Sequence, residues 1–379
     1  MIVDRENTSA DIRNLPDSSF EPVVASQLSD EAFKTEPIGF FKDALIRFTK
    51  NRVSVVSFWL ILGIILLSIV APYFNKYTFV EQHISLRDMP PRIPFLENYG
   101  IANGHRLLTN RRLSSINEFP AEAIVEIRNE RTVNGVSIAD VLVDYYALRG
   151  AKETYFWFGS DYLGRDLFTR LFCGSRISLL IAFLSVITNV FIGVVYGSIA
   201  GYYGGRIDMV MMRFAEILSG IPYLVVVMLF VLLFGTGMVS IILALTITGW
   251  IGTARLIRAQ FYRFKNREYV LAARTLGVPD KTLIFRHILP NSIGPIITRA
   301  MISIPGAIFS EAFLAFIGLG LQAPNPSIGV LLSDGQKVLL QYPYQTFFPA
   351  LLISVLMVSF NLFANGLRDA LDPTQRGEG

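Results

Sequence analysis

EYVLAARTLGVPDKTLIFRHILP, residues Glu268 to Pro290, packs the signals for two helices and a turn into a basic segment flanked by long apolar runs. Tyr269, Ala272, Ala273 and Leu276 fall at i, i+3, i+4 and i+7, which predicts one small apolar stripe on a single helix face. Gly277 suits a left-handed helix end, and Pro279 bars continuation beyond it. Asp280 is placed to cap a second helix by accepting backbone N–H bonds, and Leu283, Ile284 and Ile288 give that helix its own apolar side. Arg263, Lys265, Arg267, Arg274, Lys281 and Arg286 decorate the rest. A compact basic knob between membrane spans is a docking surface for a soluble partner.

The spans themselves follow from composition. Of the 379 residues, 52% are hydrophobic and 17% charged, and the mean hydropathy is +0.46, too apolar for an ordinary soluble protein. Runs long enough for helical spans lie at 54–74, 177–200, 209–235, 238–258, 293–317 and 346–367, with Arg213 and Glu216 entering the third early. The expected fold is therefore an all-α polytopic membrane protein of six transmembrane helices. The run at 54–74 is not read as a signal peptide, since no small-residue cleavage site follows it. Cys173 stands alone and gives no disulfide framework, metal motif or redox motif. The formal charge of +4 is accounted for by cationic loops in a membrane chain, without nucleic acid.

Orientation follows from the short loops. Lys42, Arg47, Lys50 and Arg52 precede the first span, Arg206 and Arg213 follow the second, and the 255–290 loop is the most basic; Arg368 and Arg376 lie at the C-terminal end. All of these share one side if both termini are cytoplasmic. Residues 1–38 read as a disordered cytoplasmic tail, 39–52 as an interfacial amphipathic helix with Phe41, Ala44, Leu45 and Phe48 on one face, and 53–74 as the first span. Residues 75–157 form an extracytoplasmic insert, in which Pro90, Pro91 and Pro94, strand-like AIVEIR and the Asn134–Gly135 turn signal predict a small mixed α/β cap. The segment Trp157–Arg176 predicts an in-plane amphipathic helix, with Leu163, Leu167 and Leu171 on its apolar face and Arg165, Asp166, Arg170 and Arg176 on the other. Residues 158–373 hold the core with spans two to six, and 374–379 form a cytoplasmic tail. Gly193, Gly197 and Gly201 recur every four residues in the second span, which predicts close helix packing, inside the bundle or against a partner.

The spacing of Ala272, Ala273, Gly277, Leu289 and Pro290 resembles the coupling loop of ABC importer permeases. Leu271 stands where that family usually has an acid, with Glu268 one turn earlier, and His287 stands where an aliphatic is usual. GSDYLGRDLFTRL followed by GSRISL, SEAFLAFIGLGLQAPNPSIG (Ser310–Gly329) and FNLFANGLRDALDP (Phe360–Pro373) resemble three further segments of the peptide and nickel branch, with Ile328 and Asn365 as departures. The likeness covers 38–74 and 157–373 and is nearest to the C-type permeases of oligopeptide and dipeptide importers. It implies the type I permease fold in a bacterial cytoplasmic membrane, set among membrane lipid. It also implies a second homologous permease, two cytoplasmic ABC ATPases, an extracytoplasmic substrate-binding protein and a peptide substrate. Glu268, Tyr269, Ala272, Ala273, Arg274, Gly277, Asp280, Leu289 and Pro290 would then form the ATPase-coupling surface.

No catalytic constellation accompanies these motifs. His83, His105 and His287 are far apart without metal-ligand spacing, and no glycine-rich phosphate loop is followed by Lys and Ser or Thr. The expectation is that this chain binds no cofactor and that ATP and Mg are used by the partner subunits. Ionisable residues within spans are costly and mark sites by default. Glu311 is the candidate for the translocation path, facing either a bundle partner or a peptide amine, and Arg299 lies three turns before it. A nickel or other small-solute importer is the alternative. An ion-coupled secondary transporter is more distant, because no inverted pair of broken helices with paired acids is present.

Overall fold

The computed structural model describes residues 39–371; the tails expected at 1–38 and 374–379 lie outside them. The chain divides into two units, Met1–Asp43 and Ala44–Gly379. Of the first, the described residues contribute only the opening turn of helix α1 (Phe40–Lys50). In the second, Ala44 and Phe48 of that helix are buried and Leu45 is exposed, with Phe48 edge-on to Phe363 at 5.5 Å.

Helix α2 (Arg52–Val70) starts where the Asn51 side chain accepts the Ser54 N–H at 3.3 Å. Its buried residues are Ser54, Ser57, Ile61, Ile64 and Ser68, alternating three and four apart like the seam of a coiled coil, while Trp59, Leu60, Leu66 and Leu67 are exposed. Serines turned inward and large apolar side chains left on the outer face are the arrangement expected of a helix solvated by lipid. The seam faces α13 (Tyr344–Leu371), where Gly366 lies so close to Ser54 that any Cβ would collide with its hydroxyl.

An insert follows α2. It contains β1 (His105–Arg112), α3 (Leu113–Ile116), β2 (Ile124–Val133), β3 (Val136–Asp144) and α4 (Tyr145–Leu148). The strands form one antiparallel sheet in the order β1-β3-β2. Asn134 and Gly135, at φ 52° and 76°, make the two-residue turn of the β2–β3 hairpin, where both positions need positive φ. Leu108, Ile116, Ala123, Ala139, Val141 and Val143 form a small core. The edge strand β2 carries Glu126, Arg128, Glu130 and Arg131, charges that discourage pairing with another chain. Arg106 ties the insert to the bundle by donating to the Gln341 carbonyl at 3.0 Å while lying 4.2 Å over the Tyr342 ring.

The in-plane helix expected over 157–176 is not formed. Gly159 and Gly164 sit at φ 84° and 73°, where a right-handed helix cannot run, and Asp166 caps a new helix by accepting the Thr169 N–H at 2.7 Å. That helix, α5 (Leu167–Tyr203), is continuous for 37 residues. Arg165 and Arg170 are not on a solvated face either. Both are buried against Asp161, which accepts from the Arg165 Nε at 2.7 Å and also pairs with Arg170.

Helix α5 packs along α8 (Met238–Phe264) through the glycine face. A Cβ on Gly193 would lie 2.6 Å from the Thr253 Cβ, and one on Gly201 2.6 Å from the Phe261 Cβ. One built on Gly197 would lie 3.0 Å from the Ala254 Cα and carbonyl carbon, and closer still to its oxygen. The glycines thus seat a helix of the same chain. The third expected span is a bent pair, α6 (Gly205–Ser219) and α7 (Tyr223–Phe234), angled by 79°. Pro222 has no N–H and disfavours a helical Ile221, which breaks the run there. Asp208 holds α6 to α8 by accepting from Arg258 at 2.5 Å through both oxygens and from the Tyr262 hydroxyl at 2.9 Å. Helices α9 (Glu268–Thr275) and α10 (Asp280–Thr282) lie in the loop that follows α8, and α11 (Ile293–Phe316) and α12 (Ile328–Lys337) precede α13. Among the described residues five helices are long and apolar enough to cross a membrane, or six with the bent pair taken as one span.

Candidate functional site

The loop joining α8 to α11 is built from its hydrogen bonds outward. Glu268 opens α9 and Arg274 closes it, the charge order that suits the helix dipole. At its end the Gly277 N–H donates to the Arg274 carbonyl at 3.0 Å and the Val278 N–H to the Ala273 carbonyl at 3.2 Å. This pair of bonds is a Schellman motif, and it requires the left-handed Gly277, whose φ is 79°. Pro279 then begins the return.

Asp280 does not cap the second helix as the sequence predicts. Pro279 occupies the cap position without a side-chain bond, and the Asp280 carboxylate instead accepts the Tyr202 hydroxyl at 2.5 Å. That bond ties the loop to the end of α5. Beyond α10 the backbone widens into a π-turn over Leu283–Ile288 and tightens into a 3-10 turn over Leu289–Ser292 before α11. Pro290 accounts for both, because it has no N–H to return to the carbonyl four residues earlier. Leu289 is half-buried and Pro290 exposed.

The predicted stripe on α9 divides into two faces. Ala273 is buried with Val270 against Tyr202, Ile257, Phe261, Leu283, Ile284 and Ile288, so it belongs to the packing of α9 onto α5 and α8. Tyr269 and Leu276 are 42% and 84% exposed, and Ala272 is exposed beside them. The reason is rotational: at about 100° per residue, Ala272 and Leu276 lie on the side of Tyr269 away from Val270, so only the Val270–Ala273 edge meets the bundle. Leu271 is exposed as well. Glu268, Arg274 and Asp280 are also exposed, and the Arg274 guanidinium lies 5.5 Å from the Tyr202 ring centroid. Burial raises the Tyr269 phenol above its ordinary pKa, with Arg267 opposing, and the Asn291 amide donates to its hydroxyl at 3.2 Å. The result is a hairpin held rigidly from behind, with a free face of small and apolar residues rimmed by Glu268, Arg267 and Arg274.

Glu311 is fully buried and is not presented to an open surface of the chain. Its Oε2 accepts the Ser178 hydroxyl at 2.8 Å, and the Ser178 oxygen accepts the Ile328 N–H at 3.2 Å. The carboxylate thereby joins α5, α11 and the start of α12. Arg213 and Glu216 pair at 2.9 Å on an exposed face of α6. The Asp161 cluster and the Asp208–Arg258 link went unrecognised at the level of sequence. Asp161 and Arg165 do stand four apart, but nothing local marks that pair as buried.

The sequence carries two family matches. Residues 39–91 match the N-terminal TM domain of oligopeptide transport permease C, and residues 193–377 match the binding-protein-dependent transport system inner membrane component. The oligopeptide transport system permease protein OppC of Bacillus subtilis is 36% identical over 96% of this chain and 100% of its own length. The dipeptide transport system permease protein DppC of the same organism is 35% identical over 96% and 94%. The glutathione transport system permease protein GsiD of Pectobacterium atrosepticum is 37% identical over 62% of this chain and 78% of its own. With its α5–α8 core, its inserted sheet and near end-to-end identity of this order, the chain belongs to the oligopeptide and dipeptide permeases of the ABC transporter family.

Proposed function

We propose that this chain is one of two membrane subunits of an ATP-driven importer of oligopeptides or dipeptides, and that the hairpin 263–290 is the seat of a cytoplasmic ATPase. The exposed Tyr269–Ala272–Leu276 face on a helix fixed from behind supports this reading most directly. An apolar side chain as exposed as Leu276, at 84% and rimmed by charges, is the kind of feature an interface core covers. Small Ala272 lets the helix sit deep in a groove, and Glu268 and Arg274 can pair at the rim.

In this scheme the basic end of the bundle, with Arg255, Arg263, Lys265, Arg267 and Lys281, faces the cytoplasm together with both termini. The inserted sheet then lies on the other side, toward a substrate-binding protein that delivers peptide. A second permease completes the path. ATP and Mg bind two partner ATPases, whose closure moves the hairpin as a rigid body and rocks the spans between inward-facing and outward-facing states. The named substrates of the relatives above are oligopeptides, dipeptides and glutathione, which favours a peptide over nickel.

Leu276→Asp tests the docking face. Burying a leucine contributes about 1.5–3 kcal/mol, so the variant should lose the co-purifying ATPase pair and uptake of labelled di- to hexapeptides. Membrane insertion and melting of the permease itself should not change. Retention of the ATPases with full uptake would refute the docking role.

A further inference from the structure

Between α5, α7, α8 and α11 lies a cavity of about 410 Å³, within the size range of small-ligand sites. Arg299 enters it from α11. Its guanidinium rests against α8 at Gly252, where a Cβ would lie 2.6 Å from Nη2, and its Nε has no hydrogen-bond partner among the described residues. No carboxylate pairs with it either among the described residues. Two further buried atoms on the same lining are orphaned, the Asn189 Oδ1 on α5 and the Tyr223 hydroxyl on α7. Ser303 and Ser310 continue the polar lining along α11.

A guanidinium inside a span pairs with something, and this one has no carboxylate partner among the described residues. Unsatisfied buried donors and acceptors converging on one hollow mark a place where another molecule's polar groups fit. From Arg299 to Ser310 the cavity follows α11 for roughly 16 Å, the reach of four to five extended residues. We propose, resting on the importer reading above, that this cavity holds a peptide in transit, with its C-terminal carboxylate on Arg299 and its backbone against Asn189 and Tyr223. An extended peptide supplies what the lining lacks: an anion for the guanidinium, N–H groups for the Asn189 oxygen, and a carbonyl for the tyrosine hydroxyl. A carboxylate from the second permease would satisfy Arg299 alone and leave Asn189 and Tyr223 unpaired, so the peptide accounts for more of the site.

The test uses the complete reconstituted complex, labelled trialanine, and trialanine amide, which lacks the terminal charge. Arg299→Gln should lower trialanine uptake about tenfold or more, the scale of a lost hydrogen-bonded charge pair, and leave uptake of the amide unchanged. Equal loss for both peptides with weaker co-purification of the second permease would assign Arg299 to a subunit contact and overturn the proposal. Unchanged uptake of both would also overturn it. A tripeptide ending in photoreactive benzoylphenylalanine gives a readout independent of substrate delivery. Its adduct should map to the 299–310 stretch in the wild type and vanish in Arg299→Gln, whereas labelling confined to the insert would overturn the assignment. Wild-type complex that takes up no peptide at all would instead remove the importer reading on which the proposal rests.

Discussion

The α5–α8 contact yields a prediction in which a single methyl group decides the outcome. Gly197→Ala places a Cβ 3.0 Å from the Ala254 Cα and carbonyl carbon, where carbon atoms in contact settle at about 3.5–4.0 Å. The Ala254 carbonyl oxygen lies closer still, so the two helices must part by about 1 Å. Overpacking of this kind costs about 1–3 kcal/mol. Helix propensity acts in the other direction, since Ala exceeds Gly by about 0.8–1 kcal/mol in a helix interior. Gly63→Ala isolates the contact: it makes the same change in α2, where a Cβ meets nothing within 4 Å. Both variants gain the propensity and only one meets a backbone, so their difference should be the full packing cost. Apparent melting temperatures of the purified complex in detergent should separate by several degrees, at roughly 2–4 °C per kcal/mol, with Gly63→Ala at or above the wild type. If the two variants melt together, the close approach of α5 and α8 is wrong.

Asp161 carries two buried guanidinium groups, so Asp161→Asn should destabilise the permease by about 3–5 kcal/mol, seen as a lower melting temperature and reduced yield. A variant that melts like the wild type would show that Arg165 and Arg170 find other partners. At Gly277 a Cβ would meet nothing within 4 Å, so the obstacle to substitution is the positive φ alone. Gly277→Val should cost about 1–2 kcal/mol and lower peptide uptake, while Gly277→Asn, which tolerates the left-handed region, should keep most of it. Equal uptake by the two variants would argue against the turn as the requirement.

Features written in consecutive residues were the most legible. The span count followed from apolar run length, and the left-handed end of α9 followed from Gly277 and Pro279 standing together. What depended on contacts between distant segments was hidden. The α9 stripe was read as one face because its spacing fits a helix, but spacing cannot reveal that Val270 and Ala273 turn toward Phe261. Asp280 has the residue type of a cap, and Tyr202, 78 positions away, draws its carboxylate elsewhere. Leu163 shares the period of Leu167 and Leu171, yet Gly164 and the Asp166 cap place it outside the helix. The two glycine-framed turns were in the sequence, and the apolar period overrode them.

Helix α5 meets the Asp161 cluster at its first residues and the Asp280 hairpin at its last. At about 1.5 Å per residue its 37 residues span roughly 55 Å, so one unbroken rod touches both extremities of the bundle. The Gly193–Gly201 seam clamps its C-terminal third to α8, which makes that third the fulcrum and the rest a lever arm. The arm from Gly197 back to Leu167 is about 45 Å long, so a swing of about 5° at the fulcrum displaces its tip by roughly 4 Å. Small angular play at the hairpin thus arrives at the Asp161 cluster as a stroke approaching the spacing of two strands.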